Sequence, residues 1–259
     1  MTHQTAGVRL HINGPLATLT LDNPAKLNCF TVDMLAQLAS HLDVIEGRPD
    51  VRAVIVTGEG DRAFCSGADI NAWGGLSPAD FARNWVRSGH RIFDRLARLS
   101  KPTIAALNGH AFGGGLELAA ACDIRVITPN ATVALPEAGV GIVPGWSGSQ
   151  RLARLVPEGM VKEMALFGRR IGAGRLFSCG FVAEVADDAR AATQTIAAKA
   201  VTLSPRATEI TKAMIHAGRG EDSAALIEAL GSAAIAATAD REEGVAAFRD
   251  KRKPEFPGT

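Results

Sequence analysis

With 259 residues, 47% of them apolar and 21% charged, the chain can bury a large core without disulfides or a structural metal and is too apolar to stay disordered. Its 28 basic against 27 acidic residues leave a net charge of +1, which gives no overall attraction to nucleic acid or to an anionic membrane. It contains no tyrosine, so mechanisms built on a tyrosine base or nucleophile are excluded.

Val8–Ile12 and Ala17–Leu21 alternate apolar with polar or small residues around Gly14-Pro15 and predict an opening β-hairpin. Thr31 then starts a helical pattern with Met34, Leu35, Leu38, Leu42 and Ile45 on one face. Val51–Val56 predicts a strand ending in Thr57-Gly58, and Ser77-Pro78 opens a helix that carries Phe81, Trp85, Ile92, Phe93, Leu96 and Leu99. Pro102–Leu107 and Ile124–Ile127 read as buried strands, separated by Gly113-Gly114-Gly115 and a short helix to about Cys122. Past Pro136 the chain turns mainly helical, near 147–155, 159–168, 188–203, 206–217, 222–238 and 240–251, with Asp240 and Glu243 as a capping box for the last. A β/α front followed by helices predicts an α/β core domain over 1–195 and a helical region over 196–259.

Cys29, Cys65, Cys122 and Cys179 form no CxxC pair and are expected to be reduced thiols. No export signal opens the sequence and no run of about 18 apolar residues occurs, so a soluble, cytoplasmic protein is expected. Gly58-Glu59-Gly60-Asp61-Arg62-Ala63 fits a dinucleotide fingerprint only loosely, since Phe64-Cys65-Ser66-Gly67 stands where a helix should start. Gly145-Trp146-Ser147-Gly148-Ser149 lacks the last glycine of a nucleophile elbow. The histidines have no metal-ligand spacing, and only His110 lies in a glycine-rich segment.

Two glycine-containing turns and two glutamates remain. The turn in 63–70 and the strand-to-helix turn in 108–117 can aim backbone N–H groups at one oxygen, as an oxyanion hole does; tight strand–helix packing explains the same glycines. Glu117 sits among Leu116, Leu118 and Ala119–Ala121, where burial should push its pKa up. Glu137 opens the apolar, glycine-rich loop to Gly145. Paired carboxylates in an apolar pocket move protons at neutral pH, whereas a helix-terminal acid and a surface loop acid are the plainer alternatives.

AFCSGADI (63–70), KPTIAALNGHAFGGGLELAAACDIRV (101–126) and LPEAGVGIVPGWSGSQRL (135–152) resemble the crotonase, or enoyl-CoA hydratase/isomerase, superfamily. The resemblance runs from NPAKLNCFT (23–31) to FRDKRKPEF (248–256). It implies a spiral of ββα units with a C-terminal helical trimerisation region, assembled as a homotrimer or a hexamer. It assigns the oxyanion hole to the N–H groups of Ala68 and Gly114, and acid/base roles to Glu117 and Glu137. Lys26, Leu27, Ser66, Asp69 and Ile70 fall at coenzyme A contacts, Gly145 and Trp146 at the acyl site, and Phe248 and Lys253 in a tail that reaches a CoA site in relatives. The positions of Trp146 and Ser147 are often small in hydratases, so the indole is expected either to reshape the acyl pocket or simply to fill the core.

The implied reaction is reversible hydration of a trans-2-enoyl-CoA, with coenzyme A as part of the substrate and no separate cofactor or metal. The alternatives within the superfamily are an enoyl-CoA isomerase or a dehydratase of, for example, the carnitinyl-CoA type. Some members bind RNA, which the near-neutral charge argues against here, and a non-catalytic CoA-thioester scaffold conflicts with the retention of both glutamates.

Overall fold

The computed structural model describes residues 6–259. β1 (Gly7–Asn13) and β2 (Leu16–Asp22) form the expected antiparallel hairpin. α1 (Val32–Glu46) starts at Thr31, whose side chain accepts the Met34 N–H, and buries Met34, Leu35, Leu38, Leu42 and Ile45. β3 (Ala53–Gly58), β4 (Ala63–Cys65) and α2 (Ile70–Trp73) follow. The helix expected from Ser77 is broken into three: α3 (Pro78–Asp80), a wider π-helical stretch over Phe81–Val86, and α4 (Arg87–Arg98). Then come β5 (Thr103–Leu107), β6 (His110–Phe112), α5 (Gly114–Ala121), β7 (Ile124–Ile127), β8 (Thr132–Ala134), α6 (Gly148–Leu155), α7 (Glu158–Phe167), β9 (Ile171–Gly172), α8 (Ala173–Ser178), β10 (Glu184–Val185) and α9 (Ala189–Ala200).

Two sheets share this succession. The larger has the order β1-β2-β3-β5-β7-β10, the smaller β4-β6-β8-β9. β3/β4, β5/β6 and β7/β8 each send the first strand to the large sheet and the second to the small one, so the chain winds as a spiral of strand pairs. β2 to β10 run parallel through the large sheet, and among the described residues only the hairpin and the β8/β9 pair are antiparallel. The strands of the small sheet are two or three residues long, too short to show a period of two in the sequence.

The spiral is sealed by polar side chains at its corners. Buried Asn108, after β5, accepts the Gly58 N–H (3.0 Å) and donates to the Gly60 (2.9 Å) and Ala63 (3.3 Å) carbonyls, tying the β3–β4 turn to the next layer. Asn28 does the same for the first turn, donating to the Glu59 and Ala63 carbonyls at 2.9 and 2.8 Å. One core cluster runs from Leu19 and Phe30 through Phe93, Leu116 and Ile171.

The chain forms two compact units, one ending at Thr208 and one comprising Glu209–Thr259, and the division falls within α10 (Pro205–Ala217). The sequence boundary at 195/196 lies inside α9, whose Thr193 and Ala197 are buried; Ala197 packs with Ala53, Ile55, Ile104 and Ala106 in a second cluster under the large sheet. In the second unit, α11 (Ser223–Ala236) leaves Ile227 and Ile235 exposed. α12 (Ala239–Asp250) is capped by Thr238, which accepts the Arg241 N–H, and not by the Asp240/Glu243 box expected. Glu243 instead holds Arg252 (2.6 and 2.8 Å), and Asp240 accepts the Gly258 N–H (2.7 Å), folding the last residues back along α12.

Candidate active site

The first unit holds a cleft of about 170 Å³ at the N-terminal end of α5. Its walls bring together Ser66, Ala68, Ile70, Gly114, Glu117, Glu137, Gly145 and Trp146 from the sequence-expected set. Trp73, Phe81, Trp85, Val86, Ile142 and Val143 make its apolar wall, delivered by α2, the π-helical stretch and the loop before α6.

The two candidate oxyanion donors arise from different local rules. Ala68 forms an isolated parallel bridge with Phe30: the Phe30 N–H donates to Gly67 and the Asp69 N–H donates to Phe30, both at 2.8 Å. Alternation along an extended segment turns the Ala68 N–H to the other side, toward the cleft that Ala68 lines. Gly114 is the first residue of α5, so its N–H has no carbonyl one turn back and lies at the positive end of the helix dipole. The two turns touch: a Cβ added to Gly114 would stand 3.7 Å from the Gly67 carbonyl carbon. Close packing explains Gly115 instead, where a Cβ would run into the Cys65 carbonyl group. A helix-start N–H and a close strand–helix contact thus stand at neighbouring glycines.

Glu117, one turn into α5, is 3% exposed. Its Oε1 accepts the Trp146 N–H (2.8 Å) and the Gly148 N–H (2.7 Å) at the start of α6, leaving Oε2 for the cleft. Burial pushes its pKa up to about 7, reinforced by nearby Glu137, against the pull of the two N–H donors and Arg151. Glu137 stands in a single 3₁₀ turn (Glu137–Val140) and is also buried. Burial raises its pKa, and its Oε2 has no hydrogen-bond partner among the described residues. Gly113, at φ +50° before α5, lies against it: a Cβ there would be 2.9 Å from Glu137 Oε1. Glu137 is not the surface loop acid of the plainer reading, and Glu117, although in the first turn of α5, is buried.

Lys26, Leu27 and Asp69 form the rim beside Ser66 and are not part of the cleft wall. Lys26 Nζ pairs with Asp69 Oδ2 at 2.7 Å, and the Ser66 N–H donates to the Leu27 carbonyl at 3.0 Å. Leu27 and Asn28 both take left-handed φ values, 52° and 57°, held by the Asn28 side chain, which accepts the Asn23 N–H at 3.0 Å. Phe248 and Lys253 belong to the second unit, where both are exposed.

Trp146 is 3% exposed and packs edge-on against Phe30 (5.9 Å) and Phe93 (5.2 Å) and tilted on Trp85 (5.3 Å). It is a core residue and a cleft wall at once. A Cβ on Gly114 would stand 2.6 Å from its Cζ3, and one on Gly89 of α4 would also meet the indole. Gly89 and Gly148 were not legible as site residues, because only their distant partners give them a role. His110 is not part of the cleft: its Nδ1 accepts the Thr132 N–H (3.1 Å) and its ring stacks on Phe112.

A sequence model of the enoyl-CoA hydratase/isomerase family matches residues 11–259. The chain is 36% identical over 252 residues to the short-chain-enoyl-CoA hydratase of Clostridium acetobutylicum, covering 96% of each chain. It is 36% identical over 245 residues to the crotonyl-CoA hydratase of Syntrophomonas wolfei, covering 93% of this chain and 94% of that one. Among solved structures, Pseudomonas aeruginosa DspI superposes with a TM-score of 0.81 at 35% identity, over 96% of both chains.

Proposed function

The chain belongs to the enoyl-CoA hydratase/isomerase family, and from that premise we propose that it is a hydro-lyase that adds water reversibly across the 2,3 double bond of a trans-2-enoyl-CoA. One observation carries the reading: two buried carboxyls and two helix- or strand-end N–H groups without backbone partners line a single apolar cleft. The Ala68 and Gly114 N–H groups receive the thioester oxygen and hold the charge that grows on it as the double bond is attacked. Glu117 takes a proton from water while the water oxygen bonds to C3. The π electrons move toward the thioester as an enolate, and Glu137 delivers a proton to C2 to give the 3-hydroxyacyl-CoA.

The roles follow from the hydrogen bonds. Glu117 has two N–H donors to steady a carboxylate, so it is the base. Glu137 has no donor on its buried Oε2 and burial raises its pKa, so it is assigned as the acid. One proton thus serves the pair, and their titration belongs to both. The thioester is itself the electron sink, so the reaction calls for no metal or nicotinamide. Hydration over isomerisation is favoured because both carboxyls face the cleft, where a single proton shuttle would serve an isomerase.

Ser66 and Ile70 of the cleft wall, with Lys26, Leu27 and Asp69 beside it, take the coenzyme A portion, and Gly145 and Trp146 the acyl portion; Phe248 and Lys253 are proposed for the distal end of CoA. The exposed Ile227 and Ile235 of α11 support self-association of the helical region as a homotrimer or hexamer. No helix among the described residues is long and apolar enough to cross a membrane, in keeping with a cytoplasmic enzyme. Loss of crotonyl-CoA absorbance on addition of the protein tests the proposal, and turnover that persists in both Glu117→Gln and Glu137→Gln would refute the acid/base pair.

A further inference from the structure

The turn that presents both N–H groups to Glu117 is built on a residue in an unfavourable conformation. Ser147 has φ 77° and ψ 16°, the left-handed region that glycine enters freely and serine does not. That conformation is what points the Trp146 and Gly148 N–H groups at the same oxygen, forming a small anion-binding nest whose occupant is the Glu117 carboxylate.

A closed ring of polar contacts surrounds Ser147. Its Oγ lies 3.1 Å from His90 Nδ1 and 3.4 Å from His90 Nε2. His90 Nε2 is 3.6 Å from Asp94 Oδ2, one turn further along α4, and Asp94 Oδ1 accepts from Arg151 Nη2 at 2.6 Å. The Arg151 N–H donates to the Ser147 carbonyl at 2.8 Å and closes the ring. Beside it, Gly89 leaves the space that the Trp146 indole fills. Two consecutive residues of α4, Gly89 and His90, are thus matched to two consecutive residues of the turn, Trp146 and Ser147. Serine, histidine and aspartate in contact also make a hydrolase-like set, but Ser147 is buried and is not part of the cleft wall, so it has no access to a thioester.

We propose that Ser147 and His90 are positioning residues: their contact holds the 146–148 turn in its left-handed form and so fixes the carboxyl of Glu117 for proton transfer. This rests on Glu117 being the base of the proposed hydration. Without the contact, the turn relaxes toward right-handed backbone and at least one N–H leaves Oε1. The groups facing Glu117 are then Glu137 and Arg151 with a weakened nest, which disfavours the carboxylate and moves its ionisation to higher pH.

The test is kcat and KM for crotonyl-CoA across pH, with melting temperatures, for wild type, Ser147→Ala, His90→Ala, the double variant and Ser147→Gly. Ser147→Ala and His90→Ala should each lower kcat about ten- to hundred-fold, leave KM within about two-fold, and move the acid limb of the kcat profile to higher pH. The double variant should be no worse than the poorer single one, since both break the same contact. Ser147→Gly should recover most of kcat, because glycine takes the turn unaided. A side chain needed only for packing predicts the reverse order, with alanine better than glycine. Wild-type kcat and pH profile in Ser147→Ala, additive effects, or alanine equal to glycine would each overturn the proposal. Should the wild type fail to hydrate crotonyl-CoA, the functional reading falls separately. A crystal structure of Ser147→Ala then decides: a lost or lengthened Trp146 or Gly148 bond to Glu117 upholds the positioning role, and two intact bonds overturn it.

Discussion

Replacing Glu117 by glutamine should sharply lower turnover while making the protein more stable at alkaline pH. The isosteric amide keeps an oxygen for the Trp146 and Gly148 N–H groups, so the turn before α6 should stay in place. In the unfolded chain the carboxyl ionises near 4.5, and in the fold near 7. Between those values the unfolded chain holds fewer protons than the folded one, so stability falls as pH rises through this window. Above about pH 7 the full penalty of a buried charge is present, about 3 kcal/mol for a carboxyl this deeply buried. Glutamine carries no such penalty. At pH 8 its melting temperature should exceed that of wild type by about 5–10 °C at equal protein concentration, and at pH 4.5 the difference should vanish. Hydration of crotonyl-CoA should fall by about 10²–10⁴ in the same variant. A melting difference independent of pH, or a glutamine variant less stable at pH 8, would refute the account of a desolvated base.

Three further substitutions probe the same geometry. Gly148→Ala places a Cβ 2.7 Å from Glu117 Oε1 and 2.9 Å from its Cγ; kcat should drop about 100-fold with KM little changed, as steady-state kinetics will report. Trp146→Ala empties the space between Gly89 and Gly114; denaturant titration should show a loss of about 3–5 kcal/mol, and kcat/KM should shift in favour of longer acyl chains across a chain-length series. Lys26→Ala removes the partner of Asp69 at the rim; KM for a CoA thioester should rise a few-fold while a truncated pantetheine thioester responds less.

Much of the fold was readable because its larger elements carry strong local signals. The stripe from Met34 to Ile45 and the runs at Thr103–Leu107 and Ile124–Ile127 need no tertiary context. The small sheet was not readable, since β4, β6, β8 and β9 are held by register with one another and not by their own pattern. The interruption of the helix after Ser77 escaped for a related reason: the widened turns over Phe81–Val86 bring Phe81, Trp85 and Val86 to the cleft, a demand the local sequence does not state. At the site, a glutamate inside an apolar helix start was conspicuous, and the expectation of a raised pKa agrees with the buried position of Glu117. Spacing could not reveal that Glu137 converges on it, nor that Gly89 and His90, more than 50 residues upstream, mate with Trp146 and Ser147. A serine in the left-handed region leaves no trace in a sequence. Only the nearby glycines hinted at a tight turn there.

The central claim is that one thioester oxygen is held by the Ala68 and Gly114 N–H groups with both glutamates facing the acyl carbons. A crystal structure with the saturated, unreactive butyryl-CoA tests it directly. The carbonyl oxygen should lie about 2.7–3.1 Å from both nitrogens, with the Glu117 and Glu137 carboxyls on the same face of C2 and C3. A carbonyl directed away from either nitrogen, or an acyl group with the two carboxyls on opposite faces, would contradict it.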